Sequence, residues 1–379
     1  MTDKDVVLFE IMKSSLWSGE PLYILDAEEI KKELAIQAVE GIAAASVPAY
    51  RDIMDYRLSR FVRMLYVQKE VINALLQANI DTVVLKGTAA GIYYPIPYLR
   101  HYGDIDLLVR SDNYKESIRI ISNLDGSVQH EAGGDVSSFR VNGFIIDLHR
   151  LIRGTERAKE GAYISDYIMM GLDDIQWGQF DQPRCSFPML PWRQNGLELI
   201  WHIRVHLYNG LGLRQVIDWM MFVYHCMLGE EETGEFLDVL HKAGLLKLAK
   251  VVTRMCQLYL GLDESITWCH DAEAGLCESL MEYILEQGNF GAKSESDKAV
   301  KVLTKYRNSF TFFAGMQQKG LREWTLAKKH IFLRPFAWVY VLFEGASRYM
   351  NREGKKRLRE DLEGTRKRIE LFDQLYEEE

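Results

Sequence analysis

Apolar residues recur at helical spacing along the first part of the chain, then give way near Asp81 to short runs of strand character. Between Asp52 and Leu76, the residues Met54, Leu58, Phe61, Leu65, Ile72 and Leu76 alternate with charged positions, which predicts a long amphipathic helix stopped by Asn79. Residues 1–79 therefore read as a helical N-terminal cap. From Asp81 to about Leu151 the pattern is mixed. Asp81 to Leu85 reads as a buried strand that breaks at Gly87 into a helix, and Ile105 to Val109 as a second strand. Asn113 to Leu124 reads as a helix with Ser111 and Asp112 as candidate caps. Ser138 to His149 has two β-rich arms around Asn142-Gly143, a strong hairpin signal. From Leu190 onward the spacing is helical almost throughout, with breaks at Gly210, Gly229, Gly244 and Gly261. The last stretch, Asn351 to Glu379, carries Leu358, Leu362, Ile369 and Phe372 as an amphipathic helix would. The expected organisation is α+β: a cap over 1–79, a compact core over 80–155 and a larger helical C-terminal region over 156–379.

Candidate chemistry concentrates in the core. Asp104 and Asp106 stand two apart at the start of the second strand, so both carboxylates project to one side while Ile105 and Leu107 face the other. Two like charges on one surface are costly, and a divalent cation relieves them. Asp147 lies on the returning arm of the hairpin, and three carboxylates converge if that arm pairs beside the second strand. Upstream, Lys86-Gly87-Thr88 offers a positive charge, close access to backbone and a hydroxyl where a strand turns into a helix, a setting suited to phosphate. The alternatives are solvated acids and an ordinary surface lysine. It is the combination that points to a cation and the polyphosphate that carries it.

A strand followed by Gly and a hydroxyl residue, then a D-x-D strand, then a third acidic strand resembles the nucleotidyltransferase fold of the DNA polymerase β superfamily. More narrowly, Leu85-Lys86-Gly87, Pro97-Tyr98-Leu99-Arg100, Gly103 to Val109 and Ile146-Asp147-Leu148-His149 resemble a bacterial group of uncharacterised nucleotidyltransferases. Leu199 to His206 with Leu213 to Asp218 resembles a second block of that group, and Arg334 to Trp338, more weakly, a third. The resemblance implies a small mixed-sheet core and transfer of NMP from an NTP to an acceptor hydroxyl. It implies Mg²⁺, or Mn²⁺ in its place, on Asp104, Asp106 and Asp147, with Asp106 bridging two ions about 4 Å apart and Asp147 helping to deprotonate the hydroxyl. Gly87 and Thr88 would hold the β- and γ-phosphates, and Lys86 would neutralise them or the leaving pyrophosphate. Arg100 would reach a phosphate bidentately or pair with a neighbouring acid. Thr88 stands where the wider superfamily has Ser, and residues 89–103 make a longer gap before the acidic pair.

His202 and His206 are four apart on one helix face, a spacing that suits Zn²⁺, but Ile203 stands where H-E-x-x-H requires Glu. A packing role is the simpler reading, and Arg214 and Asp218 are likewise spaced for an intrahelical ion pair. As parts of the second block, the four would line an acceptor pocket. A competing reading is a catalytically silent module of the same fold that binds a nucleotide or a partner. Trp177, Trp192, Trp201 and Trp219 read as core residues.

The chain has 379 residues, 47% hydrophobic and 26% charged, as an ordinary globular protein does. A formal net charge of −8 disfavours extended nucleic-acid binding and leaves a small molecule, a protein or a tRNA end as acceptor. The five cysteines form no C-x-x-C pair and no leader pattern opens the chain, which points to the reducing cytoplasm. No run reaches the ~18 apolar residues of a membrane helix. The most apolar late stretch, Phe336 to Phe343, reads as buried helix.

Overall fold

The computed structural model describes residues 1–124, 129–152, 154–155, 159–207, 210–227, 229–289, 317, 320–321, 324–340 and 366–376. It divides into two compact units, one of residues 1–206 and 210–292 and one of residues 207–209 and 293–379. The first unit opens with α1 (Asp3–Lys13), α2 (Ala27–Ile36), α3 (Glu40–Ala43) and α4 (Arg51–Gln77). The α4 helix buries Phe61, Met64, Leu65, Val71, Ile72 and Leu75, with Arg57 and Gln68 as buried polar positions on the same side. Leu58, expected on this face, lies at its exposed edge. Asn79 ends the helix in a left-handed conformation, with Ile80 N–H bonded to Leu75 C=O and Asn79 N–H to Leu76 C=O, a Schellman arrangement.

The core follows as β1 (Thr82–Leu85), α5 (Gly87–Gly91), β2 (Ile105–Val109), α6 (Tyr114–Ser122), β3 (Gln129–Gly133), β4 (Val136–Val141) and β5 (Phe144–His149). Ser111 and Asp112 do not cap α6; they form a 3-10 turn with Asn113. Asn142 and Gly143 both take positive φ in a two-residue turn that pairs Val141 with Phe144, as the Asn-Gly signal requires. Next come α7 (Gly161–Met170), β6 (Gln176–Phe180) and β7 (Cys185–Met189). Strands β6 and β7 lie in a region expected to be helical. The seven strands make one mixed sheet in the order β3-β4-β5-β2-β1-β7-β6, with β2 parallel to β5 and antiparallel to β1.

Alternation along the strands divides the sheet's two faces. Val84, Ile105, Leu107, Val109, Ile146 and Leu148 enter one hydrophobic core with Phe61, Val71, Tyr114 and Ile121 of α4 and α6. Asp106, Asp147 and His149 therefore project to the opposite face.

The helices that complete the unit are α8 (Trp192–Leu207), α9 (Leu213–Cys226), α10 (Glu230–Lys242), α11 (Leu246–Leu260) and α12 (Ala274–Gln287). Positive-φ glycines stand at the expected breaks 210, 244 and 261, and Gly229 caps α10. The N-terminal helices pack on this layer: Phe9 meets Tyr259 with centroids 5.4 Å apart, and Trp17 Nε1 donates to Leu260 C=O at 2.7 Å. Trp201 and Trp219 are buried as expected, whereas Trp177 on β6 is 60% exposed, because the polar run of that strand faces solvent. All five cysteines are free.

In the second unit, Ile331–Phe336 forms a 3-10 turn and Trp324 stacks on Tyr340. Phe336 is exposed, contrary to a buried helix, and residues 341–343 lie outside the described residues. Residues 366–375 are helical with Phe372 buried, while Leu358 and Leu362 lie outside the described residues. No described helix is long and apolar enough to cross a membrane.

Candidate active site

The parallel pairing of β2 with β5 sets Asp106 directly opposite Asp147, and Leu108 opposite His149. The acids thus sit side by side on adjacent strands at the middle of the sheet, with His149 one pleat further along. One donor atom from each of Asp106, Asp147 and His149 falls within 4.8 Å of the others, close enough to share a metal ion. Asp104 stands just before β2 and is open to solvent. The charge of Asp106 raises its carboxyl above the usual range, helped by desolvation and by Asp147.

Asp106 itself is buried. Its Oδ1 accepts from His149 Nε2 at 2.9 Å and from Lys86 Nζ at 3.4 Å. Burial works against its charge, but Lys86 and His149 outweigh it and hold the carboxyl well below its usual range. Asp147 is half-buried and accepts from Ser138 Oγ of β4 at 2.6 Å, a bond that fixes its rotamer. An imidazole and a hydroxyl bonded to the carboxylates, rather than bulk water, are what orient ligands around a metal.

Lys86 ends β1 with φ 48° and ψ −130°, a backbone conformation that suits glycine, and Gly87 follows at φ +33°. The double reversal turns the chain from strand into α5 and aims the lysine back along the sheet. Nothing lies within 4 Å of the place a side chain on Gly87 would occupy, so the backbone there is open to a ligand. Strain of this kind costs about 1–3 kcal/mol and persists only where surrounding structure imposes it. Thr88 turns inward instead: its hydroxyl donates to Gln68 Oε1 of α4 at 2.9 Å, and both residues are buried.

The second face of the site comes from α8. Glu198 is 3% exposed, and its Oε1 lies 3.9 Å from Lys86 Nζ. Its Oε2 is buried and finds no hydrogen-bond donor among the described residues. Desolvation lifts its carboxyl to about 7, with Asp106 and Asp218 adding to the rise and Lys86 opposing it. One turn on, His202 packs edge to face against His206 at 4.2 Å between centroids. Burial, then the charge of Lys86, holds His202 well below the usual imidazole range.

Arg100 and Asp218 are deeply buried and face each other. Asp218 accepts from Arg100 Nε at 2.7 Å, from Arg100 Nη2 at 2.6 Å and from the Tyr94 hydroxyl at 2.7 Å. Arg100 Nη1 donates to His101 C=O at 3.1 Å. These bonds tie the segment before β2 to α9. Arg214, half-buried on the same helix, is lowered by burial and by the Arg100 charge, while Asp218 and Asp104 oppose the shift.

Of the residues expected from sequence, Asp106, Asp147 and Lys86 come together with Gly87 next in the turn, whereas Asp104 stands outside the donor cluster, whose third member is His149 rather than a third carboxylate. Sequence reasoning passed over His149, Glu198, Gln68 and Ser138. His149 was available as the next same-face position after Asp147, and Glu198 as a lone charge in the apolar run Leu197 to Trp201.

A family model described as "uncharacterised nucleotidyltransferase" matches residues 45–261, more than half the chain. The matched stretch takes in the whole sheet and α8 to α11 and stops short of Arg334. No curated protein and no solved structure matches the chain.

Proposed function

The chain belongs to the uncharacterised nucleotidyltransferase family, and on that premise we propose that it transfers NMP from an NTP to an acceptor hydroxyl with a divalent cation at Asp106 and Asp147. One observation carries the reading: the register that sets Asp106 against Asp147, with His149 in reach and Lys86 beside them. Two carboxylates suit a hard cation such as Mg²⁺, and an imidazole in the same donor set also accommodates Mn²⁺. Asp106 and Asp147 would hold the ion, with His149 as a ligand or as the donor that orients Asp106, and Asp104 at the solvent side. Bound there, a cation would offset the triphosphate's charge and favour ionisation of the acceptor hydroxyl.

The remaining roles fall to the chain's own groups. Lys86, fully charged between Asp106 and Glu198, would neutralise phosphate oxygens as pyrophosphate leaves. Gly87 would let those oxygens approach the backbone. Asp147, held by Ser138, is the base candidate for the attacking hydroxyl. Thr88 would support the turn through Gln68, its hydroxyl being engaged there. Arg100 would act by positioning, since its fork is spent on Asp218, and His202, His206 and Arg214 line the side from which an acceptor would enter. A net charge of −8 favours a small molecule or a protein over long RNA as that acceptor. Five free cysteines accord with a reducing, cytoplasmic setting.

The test is calorimetric titration with each of the four NTPs, with and without Mg²⁺ or Mn²⁺, on wild type and on Asp106→Asn shown by its melt to be folded. Cation-dependent binding that the substitution abolishes is expected. Binding indifferent to cation, or unchanged by Asp106→Asn, would overturn the assignment. The engaged Thr88 hydroxyl favours a second reading, a module that binds nucleotide without turnover. That module would bind in the same titration yet release no pyrophosphate with any acceptor.

A further inference from the structure

Glu198 has no role in the reaction proposed above, yet its setting needs an explanation. It is a carboxylate on an otherwise apolar stretch of α8, 3% exposed, with one oxygen at 3.9 Å from an ammonium and the other without a donor among the described residues. Buried polar groups are nearly always bonded, and one left short calls for a partner. The group within reach is Lys86, whose Nζ lies between two carboxylates, 3.4 Å from Asp106 Oδ1 and 3.9 Å from Glu198 Oε1.

The carboxylate that Lys86 touches belongs to the cluster able to hold a cation. An ammonium and a divalent ion at one buried carboxylate repel each other, so entry of the ion favours a lysine position further from Asp106. With the backbone held by the turn at Lys86-Gly87, the flexible stem is what moves. On α8, Glu198 presents an acceptor about half an ångström further than the present one. Lateral motion of the lysine tip brings it into hydrogen-bond reach of the Glu198 carboxylate, whose present contact of 3.9 Å is too long for one, and moves it away from Asp106.

We propose that Glu198 is the second seat of Lys86, taking the ammonium from Asp106 when a divalent cation occupies the Asp106–Asp147–His149 cluster. Glu198 is then a positioning residue that acts through Lys86 and sets both how readily the cation enters and where the lysine stands afterwards. The proposal rests on the cation reading of the cluster.

Mn²⁺ binding, followed by electron paramagnetic resonance without nucleotide or acceptor, tests it in wild type, Glu198→Gln, Lys86→Gln and the double variant. Glu198→Gln keeps the shape but takes away the seat, so Mn²⁺ affinity falls about tenfold, as for other partners one bond removed from a metal. Lys86→Gln removes the competitor, and Mn²⁺ binds more tightly than to wild type. In that background Glu198→Gln changes affinity less than twofold, since no ammonium is left to seat. An equal loss in both backgrounds would mean that Glu198 supports the site directly, and would overturn the seat. So would unchanged affinity in Glu198→Gln. If Asp106→Asn binds Mn²⁺ as wild type does, the cation reading itself is overturned and the seat with it, an outcome distinct from a failure confined to Glu198. Thermal melts of each variant restrict the comparison to folded protein.

Discussion

Replacing Asp218 by Asn tests whether Arg100 is structural or free for a phosphate. The carboxylate takes three hydrogen bonds, two from Arg100 at 2.7 and 2.6 Å and one from Tyr94 at 2.7 Å, and both charged partners are almost wholly buried at 1% and 3% exposure. Asn keeps one acceptor oxygen, but in either orientation it puts its NH₂ against an N–H of the guanidinium. It also leaves the guanidinium charge buried without its counter-charge. Breaking a buried pair on one side costs about 3–5 kcal/mol, most of it the penalty of the abandoned charge. At roughly 2–4 °C per kcal/mol for a body of this size, the main melting transition should fall by about 10 °C. Differential scanning calorimetry reads this directly. The combined variant Arg100→Met/Asp218→Leu/Tyr94→Phe removes charge and hydroxyl together and should recover most of the loss, since apolar replacement of a buried pair is often neutral. A fall of less than about 2 °C in Asp218→Asn, far below the buried-pair cost, would refute the reasoning. If nucleotide affinity rose at the same time, Arg100 would instead be a phosphate ligand that Asp218 restrains.

Two further expectations follow from the same region. Glu198 has a folded carboxyl at about 7 against about 4.3 unfolded, so the native state binds the extra proton between those values and stability falls as pH rises through them. The part of this effect that falls between pH 4.5 and 8 is about 3 kcal/mol, and Glu198→Gln cannot titrate, so its stability relative to wild type should improve by that much over that range. The difference belongs to Glu198 together with Lys86, Asp106 and Asp218, which face it, and a melting difference that does not move with pH would refute it. At Lys86, comparing Lys86→Gly with Lys86→Ala isolates the backbone, because both lose the ammonium. With φ at 48° and ψ at −130°, Gly should be more stable than Ala by about 1–2 kcal/mol despite its greater freedom when unfolded. Equal stability in urea titrations would show that the turn is unstrained.

How much of this was legible in the chain depended on the range of the interaction that decides it. Asn142-Gly143 fixes a hairpin through its own φ preferences, and the two-residue loop then fixes the register of β4 on β5. Asn79 ends α4 by the same local logic. Asp106 was placed on the correct face by alternation alone. The β6–β7 hairpin escaped notice because Gln176-Trp177-Gly178-Gln179-Phe180 lacks alternation, and β7 joins the sheet through a single parallel pair, Val84 with Met189. Thr88 looked like a phosphate ligand because a hydroxyl after Gly is all that local sequence shows. Its partner Gln68 lies twenty residues away, on a helix whose docking sets the bond.

Glu198 illustrates the same limit with a consequence for the site. From sequence it is one charge among Leu197, Leu199, Ile200 and Trp201, a departure from an apolar helical run, and helical periodicity alone leaves its target undefined. Its meaning appears only when α8 lies against the end of β1 and brings a further carboxyl to a lysine that already faces Asp106 and, less closely, Asp104. Local pattern thus specifies which acids point to one side, and long-range packing adds the buried carboxyl that faces the lysine beside them.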